Sequence, residues 1–183
     1  NFFISIVVDL DDKEVPIRQS ILVGAVKSFE EIKEMIIRYH VDVVVIDSMP
    51  ETRKCQELRD WAMGHEVTVW LCRFHPTPRI GKAKYGMKID WRTKLITVDR
   101  TQVMDCTMDD IVNQHRMFPK DVFMVFGFSE QMRASVRVMD QNRNRIVWME
   151  GSKQDHYRLA DVYDRIAYDL SEQTGTYYST NAQ

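Results

Sequence analysis

The chain has 183 residues, of which 44% are hydrophobic and 28% charged, and its net charge is −2. These values predict one folded domain with a buried core and exclude an intrinsically disordered chain. They also exclude a globally basic nucleic-acid-binding protein, so any nucleic acid would have to be bound by local patches. The three cysteines form no CxxC pair, which argues against a structural zinc site and a disulfide framework and favours a reducing compartment.

The first half of the chain predicts a mixed sheet with helices packed on it, an α/β domain. A run of apolar residues at 41–46 predicts a strand in the centre of that sheet, covered on both faces. Ser28 with Glu31 predicts a capping box at the start of an amphipathic helix. The predicted elements are, in order, a hairpin of strands Phe2–Leu10 and Ile17–Val26, a helix after Ser28, a strand over 41–46, a helix over 52–63 and a strand over 67–72.

The second half adds two hairpins and two longer helices. One hairpin lies in MKIDWRTKLITVD and turns at Arg92 and Thr93, and the other flanks QNRN. Helices are predicted over 101–115 and 155–172. In the last helix the apolar residues share one side, so we expect Asp161 and Asp164 to lie on its solvated face. Residues 73–100 are locally basic, with eight Lys and Arg against two Asp.

Two aspartates are candidates for chemistry. Asp47 ends the apolar strand in VDVVVIDSMPE, and a bare carboxylate there is unfavourable unless something pairs with it. Asp155 opens the last helix, whose N-terminus tolerates an anion. Like charges persist together only around a cation, and oxygen ligands favour Mg²⁺ or Mn²⁺. We therefore expect Asp47 and Asp155 to converge on two such ions, about 4 Å apart, that hydrolyse a phosphodiester.

A purely structural interpretation is open for the same residues. An aspartate at a strand end is often a turn former, and one at a helix start is often an N-cap. His75 and His156 are further candidates near a metal site, although a single histidine is commonly structural. The basic stretch is either solubilising or a rim that binds DNA phosphates without reading sequence. The residues predicted to contact the DNA backbone are Arg73, Arg79, Lys82, Lys84 and Lys153.

The acidic motifs resemble those of a known family. The strand ending in IDSMPE, the following VTVWLCRF and the late DHYRLADVY are similar to the nuclease domain of the large terminase subunit of tailed bacteriophages, and VDRTQVMD, FPKD and MRASVRV follow in the usual order. The resemblance implies a single nuclease domain over 1–183. Its fold would be a ribonuclease H-like mixed β-sheet flanked by helices, with an extra β-hairpin region and a C-terminal helix.

The resemblance also implies a function. Two metal ions, Mg²⁺ or Mn²⁺, would cleave concatemeric viral double-stranded DNA during genome packaging. Asp47 would be the second catalytic aspartate and Asp155 the third, with His156 as a metal ligand where some relatives have another acid. The terminase small subunit and the portal would be partners, in the host cell cytoplasm.

One part of the family pattern has no counterpart here. The first catalytic aspartate of the family lies on a strand before Phe2–Leu10, so we expect that strand, one metal ligand and the ATPase motor to lie outside this chain. Asp9 ends its own strand and does not match that position. Two alternatives are a Holliday-junction resolvase or transposase-like nuclease on the same fold, and a catalytically silent module that docks on DNA or portal.

Overall fold

The computed structural model describes residues 2–10, 17–75, 84–142 and 144–174. Two of the predicted DNA contacts, Arg79 and Lys82, lie outside these residues. The described helices and strands are β1 Phe2–Leu10, β2 Ile17–Val26, α1 Phe29–Arg38, β3 Val43–Asp47, α2 Thr52–Ala62, β4 Thr68–Phe74, β5 Lys88–Asp90, β6 Leu95–Val98, α3 Arg100–Val112, β7 Arg116–Met117, α4 Phe128–Met132, β8 Ser135–Asp140, β9 Arg145–Glu150 and α5 His156–Thr174.

The N-terminal hairpin has the predicted bounds. β1 and β2 pair antiparallel from Phe2 opposite Val26, with a register shift after Ile6, and β2 then pairs parallel with the short β7. Ser28 caps α1 as predicted, because its hydroxyl accepts a hydrogen bond from the Glu31 N–H. The alternation of apolar residues and the capping chemistry therefore specify this part of the fold locally.

The second sheet has the order β3-β4-β6-β5. β3, β4 and β6 run parallel, and β5 returns antiparallel beside β6 as the predicted hairpin. The prediction that the apolar strand over 41–46 is central was wrong, but its two faces are covered as predicted, because Val43 and Val45 pack on one side and Val44 and Ile46 on the other. Among the described residues β3 pairs with β4 alone, and all five of its residues are partly exposed.

Helices cover both faces of this sheet, so the prediction of an α/β fold with mixed sheets flanked by helices is confirmed. On one face, Ile32 of α1 and Leu58 of α2 pack in one cluster with Val69 of β4. On the other face, α3 and α5 pack on the next residues of the strands, including Trp70. Val69 faces the layer of α1 and α2, and the next residue, Trp70, faces the layer of α3 and α5. β4 is therefore buried on both sides. The hairpin β8–β9 and the C-terminal helix α5 are also present, as predicted.

Asp161 of α5 is buried and the side chain of Asp164 is only 9% exposed, which corrects the prediction that both lie on a solvated face. Asp161 accepts a hydrogen bond from the buried Arg116, 2.7 Å away, and Asp164 accepts one from Arg18 at 2.6 Å. Arg18 also binds Asp110 of α3 at 2.6 Å. Basic side chains from β2 and β7 thus neutralise the carboxylates of α5, and the ionic contacts join the first sheet to the helical layer.

In the described residues, no helix combines the length and the apolar character that crossing a membrane requires.

Candidate functional site at the carboxyl edge of the sheet

The parallel strands β3, β4 and β6 end at one edge of the second sheet. Asp47 is the last residue of β3, Phe74 ends β4, and Val98 ends β6 directly before the N-cap of α3, Asp99. In open α/β sheets the carboxyl ends of parallel strands are the usual place for ligands. This carboxyl edge therefore defines the candidate site.

The side chain of Asp47 is held by two hydrogen bonds. Its Oδ2 accepts from the Tyr163 hydroxyl at 2.8 Å, and its Oδ1 accepts from the Met49 N–H at 2.9 Å. Burial, together with the nearby charge of Asp47, raises the pKa of Tyr163 far above its usual range, so the phenol remains a donor. The partner of the strand-end carboxylate is thus a phenol from α5, and Asp47 itself is partly exposed.

Asp155 is in a different environment. It lies directly before α5 and is only 2% exposed. Its Oδ2 accepts hydrogen bonds from the Ser135 hydroxyl at 2.6 Å and from Nη2 of Arg100 at 2.5 Å. Its backbone carbonyl accepts the first hydrogen bond of the helix, from the Leu159 N–H. Asp155 therefore combines the N-cap position of the structural interpretation with an ion pair to α3.

Three side chains lie between the two aspartates. Tyr163, which binds Asp47, stacks on Phe74 with ring centroids 5.7 Å apart. The guanidinium carbon of Arg100, which binds Asp155, lies 5.8 Å from the centroid of the same Phe74 ring. Residues 155 and 163 are two helical turns apart on α5, about 12 Å along its axis. Asp47 and Asp155 share one edge of the sheet and have no common hydrogen-bond partner.

The other predicted site residues are dispersed. Arg73 lies at the candidate site, where its Nε donates to the Ser48 hydroxyl at 2.9 Å. Lys84 pairs with the buried Asp169 at 2.7 Å, farther along α5. Lys153 pairs with Glu130 at 3.2 Å beside an open cavity of about 370 Å³.

His156 points to another part of the fold. Its ring stacks on Phe3 of β1, with centroids 4.6 Å apart. Within the residues that the structure describes, no group of three or more His, Cys, Asp or Glu side chains is arranged to hold a metal ion. The metal site with Asp47, Asp155 and His156 therefore stays a prediction.

Several residues of the site were missed by sequence reasoning. Tyr163 was assigned only to the apolar face of α5, and Arg100 was counted only as part of the basic stretch. Ser135 begins β8 of the second hairpin, 20 positions before Asp155. One sequence signal was available. Asp99 lies between a predicted strand and a predicted helix, where an aspartate is a typical N-cap, and sites often form at such junctions.

Comparisons with protein-family models, with curated proteins and with solved structures gave no match. The α/β class thus follows from the fold itself, and the function has to be argued from the site.

Proposed function

We propose that the chain is a metal-dependent DNA endonuclease of the ribonuclease H-like type, the nuclease domain of a phage large terminase. The observation that supports this best is Asp47, a partly exposed carboxylate at the carboxyl end of a parallel strand, with Arg73 beside it. A carboxylate oxygen is a suitable ligand for a hard divalent ion, and an arginine at the same edge suits a phosphate.

The fit of the residues to a metal centre differs between the two aspartates. Asp47 is partly exposed and accepts one hydrogen bond on each oxygen, which leaves lone pairs for a metal ion. Asp155 is buried and neutralised by Arg100, and in this arrangement it does not fit a metal ligand. The described residues thus supply one suitable ligand, and the two-ion centre stays a prediction.

The roles of the chain's own residues follow from their contacts. Tyr163 and the Met49 N–H fix the orientation of the Asp47 carboxylate. Arg73, which is exposed and bonded to Ser48, is available to a phosphate beside that carboxylate. Divalent ions would supply activation of water and stabilisation of the developing negative charge on the phosphate oxygens.

A nicking assay tests the proposal. Supercoiled plasmid is incubated with the chain in Mg²⁺ and in Mn²⁺, and relaxed and linear products are measured. We expect Asp47→Asn to lower nicking at least about 100-fold, since metal ligands and their supports contribute at that level. Asp155→Ala is measured alongside, and Asp60→Asn serves as the control, because Asp60 is an exposed partner of Arg59 on α2. Nicking that is unchanged in Asp47→Asn would refute the assignment.

The same assay separates the alternatives. A four-way junction cleaved in preference to linear duplex would favour a resolvase or transposase-like nuclease. The neutralised state of Asp155 favours a silent module that docks on DNA or portal. Absence of nicking in either metal would support that module if it persists when the chain is extended by the strand that the resemblance places before Phe2–Leu10. As a terminase domain, the chain would act on double-stranded viral DNA in the host cell cytoplasm together with the small subunit and the portal.

A further inference from the structure

A short loop between β7 and α4 exposes three large apolar side chains. Phe123, Met124 and Phe126 keep 74%, 87% and 97% of their surface exposed, and they fall within four consecutive positions. Single exposed apolar residues are ordinary on a folded domain, but several together mark an interaction surface. These three residues are called the apolar loop below.

The apolar loop is anchored on both sides. Val122 and Phe128, which flank it, are buried in one cluster with Val23 of β2. The Met124 N–H donates a hydrogen bond to the Asp121 carbonyl at 2.8 Å, which closes a turn at the start of the loop. The exposed side chains are thus presented on a fixed backbone, so covering them would cost little conformational entropy.

Two charges beside the apolar loop are unpaired. Lys120 and Asp121 come shortly before it and are exposed, and within the part of the chain that the structure describes neither side chain has an ion-pair or hydrogen-bond partner. A cation and an anion next to each other are self-complementary across a twofold axis, because Lys120 of one copy can meet Asp121 of the other, and the reverse. A nucleic acid or an anionic membrane would instead require an excess of cations.

The exposed area suits a weak dimer. A buried aromatic side chain covers about 150–250 Å², so the two phenylalanines and the methionine of the loop present roughly 500 Å². Two copies packed loop to loop would bury roughly 1,000 Å² from these residues alone, which is the size at which biological interfaces begin.

We propose that the apolar loop is the centre of a twofold contact between two copies of this chain, with reciprocal ion pairs of Lys120 and Asp121 at its rim. Burial of the apolar side chains supplies most of the affinity, and the ion pairs fix the orientation of the two copies. A contact of this size should have a Kd on the order of 10 µM. The dimer does not depend on the proposed nuclease, because neither Asp47 nor Arg73 belongs to the loop.

Sedimentation velocity of the chain, at concentrations well below and well above the expected Kd, tests the dimer. Met124→Ser and Phe126→Ser should each raise the dimer Kd at least about 100-fold, because a twofold contact loses each side chain twice. Both side chains are exposed in the single chain, so the two variants should unfold at the wild-type temperature when they are diluted to monomer. Met63→Ser is the matched control, because Met63 follows α2 and is 76% exposed, and it should change Kd by less than a factor of about two.

An exchange of charges tests the arrangement of the two copies. Lys120→Glu and Asp121→Lys each place like charges opposite one another, so each should raise Kd about tenfold. The double variant Lys120→Glu with Asp121→Lys again sets an anion opposite a cation, so its Kd should return close to the wild-type value. An equal mixture of the two single variants should form mixed dimers for the same reason.

Three outcomes would overturn the proposal. A wild-type chain that stays monomeric at the highest concentration refutes the dimer, and co-sedimentation with phosphatidylglycerol vesicles that is lost in Phe126→Ser would then assign the loop to a lipid surface. A dimer with unchanged Kd in both serine variants places the contact elsewhere on the chain. A dimer that depends on Met124 and Phe126 but is not restored by the charge exchange refutes the reciprocal ion pairs.

Discussion

Tyr163 and Asp47, 116 positions apart in sequence, are joined by a hydrogen bond of 2.8 Å from the phenol to the carboxylate. The ring of Tyr163 is fixed by stacking on Phe74, so the hydroxyl is delivered to one oxygen of Asp47. The contact connects α5 to the end of β3, and together with the Met49 N–H it fixes the orientation of the carboxylate.

Removal of the Tyr163 hydroxyl should lower the stability of the folded chain through its contact with Asp47. Tyr163→Phe keeps the stacked ring but leaves Oδ2 of Asp47 without its donor, so we expect a loss of about 1–3 kcal/mol in the free energy of unfolding, measured with urea. Tyr168→Phe is the control, because its hydroxyl donates to Glu172 at an exposed position. An equal loss in both variants would show that the Asp47 contact has no special weight.

Removal of an arginine from the buried ion pairs of α5 should have a large effect on the free energy of unfolding. Arg116→Met should lower the free energy of unfolding by about 3–5 kcal/mol, because it removes the nearer of the two arginines that pair with the buried Asp161, leaves only Arg158 at 3.5 Å, and weakens the hold on Asp164. The exposed pair of Arg53 and Glu57 provides the comparison, and Arg53→Met should change stability by less than about 0.5 kcal/mol. Chemical denaturation of both variants measures the difference, and similar values would contradict the prediction.

The thiol of Cys55 predicts a pH dependence. Burial, with the nearby charges of Asp47 and Glu51, raises its pKa from 9.0 to about 11. The unfolded chain therefore releases this proton at lower pH than the folded chain does. The contribution is fully present below pH 9 and is lost as the pH rises to about 11, by roughly 2–3 kcal/mol.

Urea unfolding of the wild type and Cys55→Ala at pH 8, 9, 10 and 11 checks this. The alanine variant lacks the titrating group, so its stability should fall less steeply over the interval. Parallel curves for the two proteins would show that the thiol does not titrate as expected.

Gly151 predicts a steric effect next to the site. A Cβ at this position would clash with the Ala134 carbonyl oxygen, so Gly151→Ala has to displace the strand that carries Ser135. We expect a loss of roughly 1–3 kcal/mol in the free energy of unfolding, as for other overpacked positions. Gly24→Ala is matched to it, because nothing lies within 4 Å of a Cβ there, and it should be nearly neutral. Thermal unfolding of both variants measures the difference, and equal losses in the two would contradict the prediction.

The local parts of the fold were predictable from sequence. The hairpins of β1–β2 and β5–β6, the Ser28 cap and the C-terminal helix depend on alternation, turn residues and capping, which act over a few positions. The pairing of β3 with a single strand among the described residues was not predictable in this way, because its apolar composition says nothing about how many strands pair with it. The burial of Asp161 and Asp164 was missed for a related reason, since their partners Arg116 and Arg18 come from β7 and β2.

The sequence by itself determined the α/β class, the bounds of most elements and the place of Asp47 at the end of a strand, because these follow from local periodicity and chain order. Only the tertiary structure decided the partners of the charged groups. Asp47 lies against Tyr163, Asp155 against Arg100, and the α5 carboxylates against buried arginines. The physical reason is that a charge is stabilised by whatever lies within a few ångströms, and packing of distant segments decides which group that is.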